Sequence, residues 1–199
     1  MKARYFLFVL QLCVCMSGYS QQCGVYKTVA DYRGQHLSLV GDCKYGKGAI
    51  QVSDFFLRPY VYVRTELGKF KIHEDSVYAI QSCEGDVYRL DRQKVFRLLE
   101  KGVLNIYSYT YEGTEKKWGS RTIRYEKKEM VDYYFSVGDS SAILPLTVTN
   151  VRLALLSDKE LDKKIQHRFA DNSSLMERDK GVFCVNLFLS NEGRCSHEM

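Results

Sequence analysis

The sequence of 199 residues lacks the short motifs that mark most catalytic sites. It contains no Gly-x-Ser-x-Gly turn to expose a nucleophilic serine, no His-Glu-x-x-His zinc motif and no glycine-rich phosphate loop. It has only four histidines. We therefore expect no catalytic residue, no metal ligand and no cofactor. A hydrolase stays open as the alternative, because paired carboxylates need no local motif.

The chain also lacks a strong excess of charge and a proline- or glycine-rich linker. Its 29 basic and 24 acidic residues are intermingled, without a basic stripe, so we expect no nucleic-acid partner. Neither an internal repeat nor a low-complexity segment is present. A chain of this length can bury one proper core. We expect a single domain over residues 21–190 and a polar tail over residues 191–199.

Long apolar runs are missing except at the N-terminus. There a basic start precedes an apolar run over residues 5–16, and Gly18 and Ser20 follow at the spacing of a cleavage site. The pattern predicts a secretory signal peptide over residues 1–20, because the run is shorter than the roughly 20 residues of a spanning helix. An uncleaved anchor is the alternative. We expect an exported protein, periplasmic or extracellular, without a transmembrane span after cleavage.

Five cysteines follow the predicted signal peptide. They are Cys23, Cys43, Cys83, Cys184 and Cys195. An oxidising compartment favours disulfides, and the odd number leaves at least one cysteine free or paired between chains. The pairs that close most easily are Cys23 with Cys43 and Cys184 with Cys195. Sequence does not fix the connectivity, and five reduced thiols, several of them buried, are the alternative.

Short strand patterns dominate residues 36–145. Segments such as YVYVRTE, SVYAIQS, DVYRLDR and VDYYFSV are rich in β-branched and aromatic residues and are separated by polar turns. The close spacing favours antiparallel pairing, because parallel strands need long crossovers. The charged segment EGTEKKWGS, residues 112–120, is interpreted as an exposed loop. Residues 24–34 look like a short helical or irregular lead-in.

The period changes after residue 145. The stretch 147–170 predicts two helices, the first capped by Thr147 or Thr149, and the second with Leu161, Ile165 and Phe169 along one apolar stripe. GVFCVNLFL, residues 181–189, is interpreted as a last buried strand. The fold class is therefore α+β, with a mainly antiparallel β-meander sheet, two C-terminal helices packed on one face and a final strand.

Tyrosines recur at every second position in the segment VLNIYSYTYEG. In a strand, Tyr107, Tyr109 and Tyr111 would share one face, while Leu104 and Ile106 would lie on the other. The favoured interpretation is that the helices cover the leucine face and cross-strand tyrosine pairs cover the opposite one. The other hypothesis is a ligand-binding surface for sugars or an extended partner strand.

The only tryptophan lies close to that row. Trp118 falls within the charged segment that follows the tyrosines. An exposed position would make it the first candidate contact of a ligand-binding surface, whereas an indole folded back onto the sheet would contribute to packing.

Several segments are similar to those of a loose set of uncharacterised secreted β-rich proteins from Bacteroidetes-type bacteria. The resemblance rests on VYKTVADYRG, DVYRLD, LNIYSY, YYFS and LPLTVTNVRLAL, and it covers most of residues 25–170. That family has no assigned activity, so the resemblance implies export and lineage and supplies no catalytic residue. The leading hypothesis is a secreted or periplasmic non-catalytic module that binds an envelope protein or glycan. A cell-envelope hydrolase acting on glycan or peptide is the alternative.

Overall fold

The computed structural model describes residues 22–53, 59–118, 123–156 and 159–190. The strands of these residues are β1 (Cys23–Tyr26), β2 (Leu39–Gly41), β3 (Ile50–Ser53), β4 (Tyr60–Thr65), β5 (Gly68–His73), β6 (Ala79–Gln81), β7 (Val87–Asp91), β8 (Lys94–Glu100), β9 (Leu104–Trp118), β10 (Ile123–Val137), β11 (Leu144–Pro145), β12 (Arg178–Asp179) and β13 (Val182–Phe183). The α-helices are α1 (Val29–Arg33), α2 (Val148–Ala154), α3 (Lys159–Arg168) and α4 (Cys184–Leu189).

A large antiparallel sheet organises these elements. Its strand order is β11-β10-β9-β8-β7-β6-β1-β2, so β6 to β11 form the meander that the short turns predict. Strand β1 enters between β6 and β2, which places the N-terminal segment inside the sheet rather than in a lead-in. A helical turn follows it, because Thr28 and Asp31 form a reciprocal capping box at the start of α1.

A smaller sheet packs against one end of the large one. Strands β3, β4 and β5 form an antiparallel sheet, and Val61 and Val63 of β4 are fully buried. They belong to one apolar cluster with Val25, Ile80 and Leu90 of the large sheet. The two sheets are therefore held together by a shared core.

The C-terminal helices cover the other end of the large sheet. Leu104 and Ile106 of β9 and Phe135 of β10 are fully buried in one cluster with residues of α2, α3 and α4. Thr147 accepts a hydrogen bond from the Asn150 amide and so caps α2, as the sequence predicts. The predicted apolar stripe also faces this core through Leu161 and Ile165 of α3 and Phe169, the residue that follows the helix.

The predicted final strand is wrong in its length and its partner. Only Val182–Phe183 is extended, and it pairs with β12 instead of the large sheet, while residues 184–189 form α4. A short continuous apolar run does not distinguish a buried strand from a buried helix. The buried Asn186 secures the helix, since its amide donates to the Leu104 carbonyl and accepts from the Leu104 N–H, both at 2.9 Å.

The α+β class and the dominant antiparallel sheet are confirmed. The loop prediction for residues 112–120 is wrong, because β9 continues to Trp118 and pairs with β10 along its whole length.

Among the described residues, the helices are all too short or too polar to cross a bilayer. The predicted signal peptide, residues 1–20, and the predicted tail, residues 191–199, lie outside the described residues.

Candidate functional site

The tyrosine row of β9 lies on the sheet face opposite the C-terminal helices. Leu104 and Ile106 belong to the helix-facing cluster, whereas Tyr107 packs with Phe96 and Ile143 in a separate cluster that Tyr109 also contacts. The alternation along β9 is therefore the one that the sequence predicts. Because burial changes along the row, its three tyrosines do not have the same role.

Tyr107 is a core residue. Its side chain is only 2% exposed, and its hydroxyl lies 3.1 Å from Ser136 Oγ and 3.5 Å from Arg89 Nη1. The guanidinium of Arg89 also donates to the Ser141 carbonyl at 2.6 Å. Tyr107 thus belongs to a buried polar network and does not reach the surface where a ligand would bind.

Asp139 ties this network to the N-terminal helix. Its carboxylate accepts from Arg33 Nε at 3.0 Å and from Asn105 Nδ2 at 3.1 Å, and Lys101 Nζ lies 3.7 Å away. Burial pushes the pKa of Asp139 upward, but the Arg33 hydrogen bond, the Lys101 charge and the Asn105 hydrogen bond together lower that pKa below its ordinary value. Asp139 therefore acts as an ionised anchor rather than a proton donor.

Two phenols beside this anchor are held neutral. Burial, followed by the Asp139 charge, raises the pKa of Tyr32 to about 12. Burial also raises the pKa of Tyr78, whose hydroxyl donates to the Asp139 carbonyl at 2.6 Å. General acid–base catalysis near neutral pH needs a group that titrates there, so these phenols do not supply one.

Tyr109 and Tyr111 form an aromatic platform at the surface. Their rings stack with an interplanar angle of 19° and centroids 5.7 Å apart, and both side chains are partly exposed. Phe96 packs behind Tyr109 at 5.6 Å, and Lys94 Nζ lies 4.8 Å from the Tyr109 ring centroid. Packing on two sides fixes the ring of Tyr109 and leaves part of the platform open to solvent.

Met130 extends the platform along the hairpin. It pairs with Tyr111 across the ladder, so both side chains point to the same face, and it is 41% exposed. A side chain at Gly113 would collide with the Met130 sulfur. The glycine therefore lets the methionine lie across the strand. We call the surface formed by Tyr109, Tyr111 and Met130 the tyrosine face.

The hairpin that carries this face extends well beyond the sheet. Strands β9 and β10 have 15 residues each, yet β8 pairs with β9 only over residues 106–108, and β11 pairs with β10 only over residues 134–135. We call the remaining part, residues 109–118 and 123–132, the outer hairpin. Nine residue steps correspond to a ribbon of roughly 30 Å.

Charged residues lie on both faces of the outer hairpin. Lys127 and Glu112 form an ion pair at 3.1 Å, as do Lys128 and Glu115 at 3.2 Å, and all four side chains are substantially exposed. Such pairs contribute little to stability. Charged side chains on the outer edges of a two-stranded ribbon do, however, discourage nonspecific edge-to-edge association.

Trp118 is the last residue of β9. Its backbone pairs with Ile123, next to the end of the hairpin. Its side chain is not among those that the structure describes, so its predicted part in ligand binding stays a prediction.

The cysteines reveal a second feature, which sequence spacing missed. A disulfide joins Cys43 with Cys83, so the predicted pair of Cys23 with Cys43 is wrong. Cys23 is a buried free thiol. The β6–β7 turn carries Cys83 back to Cys43 across 40 residues of sequence, a contact that only the sheet topology creates. Cys184 is also disulfide-bonded. Its predicted partner, Cys195, lies outside the described residues, so that pairing stays a prediction.

Three sulfur atoms meet at this disulfide. The Sγ atoms of Cys23, Cys43 and Cys83 all lie within 4.8 Å of one another. Three thiolates at this spacing could hold a soft metal ion, but the disulfide occupies two of the sulfurs. A cavity of about 470 Å³ opens beside the cluster, and its walls include Cys23 and Cys83 together with Lys47, Glu84 and Arg97.

Comparison with known proteins identifies no relative. No family model, no curated protein and no solved structure matches the chain. The resemblance to Bacteroidetes-type secreted proteins thus stays a prediction, and the function has to be argued from the residues themselves.

Proposed function

We propose that the protein is an exported, non-catalytic binding module that holds a partner protein of the cell envelope against its tyrosine face. The observation that carries this proposal is the contrast between the length of β9 and β10 and the short stretches over which the other described strands pair with them. Each strand has 15 residues, whereas the outer neighbours pair with only three residues of β9 and two of β10. A two-stranded ribbon is only marginally stable in water, so a partner that covers the outer hairpin would stabilise it.

The chemistry of the tyrosine face suits a protein partner. Tyrosine and methionine are enriched in the buried centres of protein interfaces, and lysine and glutamate are depleted there. Tyr109, Tyr111 and Met130 would supply such a centre, and the ion pair of Lys128 with Glu115, which lies farther along the same face, would supply a polar rim. Because charges accompany the strand edges, we place the partner on the face rather than along an edge.

Export is supported by two independent features. The N-terminal residues 1–20 have the pattern of a secretory signal peptide. The Cys43–Cys83 disulfide is compatible with an oxidising compartment. A module in the periplasm or outside the cell would meet envelope proteins as its neighbours.

Two of the described carboxylates are poorly suited to the hydrolase alternative. Asp86, which lies near a strand end, is engaged by Arg97 at 2.9 and 3.1 Å, and Asp139 is engaged by Arg33 and Asn105. Asp54 lies outside the described residues. A carboxylate that is already hydrogen-bonded to a cation is a poor general acid at neutral pH.

The test is crosslinked co-purification of the tagged protein from the envelope of its native host, followed by mass spectrometry. Three forms are compared: wild type, the double variant Tyr109→Ala/Tyr111→Ala, and Tyr125→Ala. Tyr125 is a matched control, because it lies on the same hairpin, is 69% exposed and pairs with Lys116 on the opposite alternation.

We expect one dominant protein partner, recovered at least tenfold less with the double variant and undiminished with Tyr125→Ala. A partner that survives the double variant would refute the tyrosine face as the contact. Recovery of no protein partner with any form would instead favour a glycan or lipid ligand, or an enzyme with transient contacts.

A further inference from the structure

The three-sulfur cluster has the arrangement that disulfide exchange requires. A thiolate breaks a disulfide by attacking one of its sulfurs, and the other sulfur leaves as a new thiolate. Here the Cys23 sulfur lies within 4.8 Å of both sulfurs of the Cys43–Cys83 disulfide. The attacking group and the bond to be broken are thus neighbours in the folded protein.

Cys23 is held in place for this encounter. It lies on β1, paired with Gly41 of β2, and its side chain is fully buried. A Cβ at Gly41 would come within 2.8 Å of the Cys23 sulfur. The glycine therefore leaves the space that the thiol occupies beside the disulfide.

The two sulfurs of the disulfide have similar exposure but different charged surroundings. Cys83 lines the cavity together with Cys23, whereas Cys43 lines a second cavity whose charged residues are Asp42 and Glu66. Lys47 and Arg97 line the same cavity as Cys83, although Arg97 forms an ion pair with Asp86. A thiolate leaves more readily where cations rather than carboxylates lie beside it, so Cys83 is the better leaving group and Cys43 the better target.

We propose that Cys23, Cys43 and Cys83 form an internal disulfide-exchange site that presents Cys83 as a thiol for modification by a small disulfide compound. The Cys23 thiolate attacks Sγ of Cys43, a Cys23–Cys43 bond forms, and the Cys43–Cys83 bond breaks with its electron pair leaving on Cys83. The proton that Cys23 lost to solvent is regained by Cys83, so this step needs no oxidant or reductant.

The modification is a second exchange with an external reactant. The Cys83 thiolate attacks the disulfide compound in the cavity and forms a mixed disulfide, and one half of the compound leaves as a thiolate. The cavity of about 470 Å³ has room for such a ligand. Lys47 and Glu84 on its wall provide contacts for a compound that carries charges of both signs.

The test treats the native, unreduced protein with 4,4′-dithiodipyridine, a small disulfide. Acid quenching and digestion with pepsin then preserve the bonds, because acid removes the attacking thiolate. Non-reducing mass spectrometry should find the pyridyl adduct on Cys83 and a Cys23–Cys43 bond in the same molecules. Cys23→Ser should retain the Cys43–Cys83 bond and take up at least tenfold less adduct.

The wild-type protein alone can overturn the proposal if Cys23→Ser folds poorly. An adduct on Cys23 with the Cys43–Cys83 bond intact would mean that the Cys23 thiol is merely exposed to solvent when the structure opens locally. Absence of any adduct during prolonged incubation would equally refute the exchange. Either result excludes Cys83 as a modification site.

The pH dependence provides a further check. Burial is the main cause that raises the pKa of the Cys23 thiol, and the nearby carboxylates of Asp42 and Glu84 add to it, while a backbone hydrogen bond opposes them. Lys47, Asp86 and Arg97 complete the charged groups of the adjoining cavity. Adduct formation should therefore rise about tenfold per pH unit on the alkaline side of neutrality. A flat profile would contradict attack by Cys23.

Discussion

One pair of strands passes through two different environments. In its inner part, residues 104–108 and 133–137, helices cover one face and a buried polar network occupies the other. The outer hairpin has the same alternation of side chains, but no element of the described residues packs against most of it. The comparison teaches that alternation fixes which face a side chain joins, whereas the neighbouring elements decide whether that face is core or surface.

The largest effect should come from a buried side chain of the inner part. Phe135→Ala should lower the free energy of unfolding by about 3–5 kcal/mol, because the ring is fully enclosed in the helix-facing cluster. Val131→Ala is the matched control on the same strand, where the side chain is 46% exposed, and it should cost less than about 0.5 kcal/mol. Urea denaturation measures both, and comparable losses would abolish the distinction between the two parts.

The polar network should confer a specific dependence on pH. Asp139→Asn should cost about 1–3 kcal/mol at neutral pH, because the ionised carboxylate accepts hydrogen bonds from Arg33 and Asn105. The folded-state pKa of Asp139 is lowered, so its contribution is present above the unfolded pKa of about 3.9 and is lost as pH falls through the folded value. Urea titrations should show the difference from wild type shrinking below about pH 4. A difference that grows in acid would refute this anchor.

The hydroxyl groups of Tyr107 and Tyr109 should also differ in how much they contribute to the stability of the fold. Tyr107→Phe should cost about 1–2 kcal/mol, because its hydroxyl is buried against Ser136 and Arg89. Tyr109→Phe should cost only a few tenths of a kcal/mol, since this side chain is partly exposed and water can satisfy its hydroxyl. Thermal unfolding of the two variants measures the contrast, and equal shifts would contradict the different burial of the two tyrosines.

The smallest effect should come from the surface charges of the outer hairpin. Glu112→Gln removes the ion pair with Lys127, whose partners are 76% and 84% exposed. We expect a loss of less than about 0.5 kcal/mol, which added salt would erase. A loss above 1 kcal/mol in urea denaturation would indicate that the outer hairpin is packed more tightly than its exposure suggests.

Local pattern predicted the elements of this fold better than their connections. Alternation in β9, the Thr147 cap and the stripe of Ile165 and Phe169 are all set by neighbouring residues, and all were predictable. The position of β1 inside the sheet was not predictable, because its partners β2 and β6 come later in the chain. The charged outer strand resembles a loop in sequence, since charge is common in loops and this stretch buries little.

The candidate sites follow the same division. The row of tyrosines is visible in the sequence, but the burial of Tyr107 depends on Arg89 and Ser136, which come from other strands. The sulfur cluster was missed because Cys83 reaches Cys43 only through the sheet topology. Contacts between distant segments therefore account for most of what sequence alone could not predict.

Site-specific photo-crosslinking in the native host tests the central claim most directly. The photoreactive amino acid p-benzoylphenylalanine would replace Tyr111 on the tyrosine face, Tyr125 on the opposite side of the hairpin, or Tyr45, which is 41% exposed in the turn after β2. We expect a discrete crosslinked species at position 111 and none at positions 125 and 45. Crosslinks at 125 or 45, without one at 111, would contradict binding through the tyrosine face.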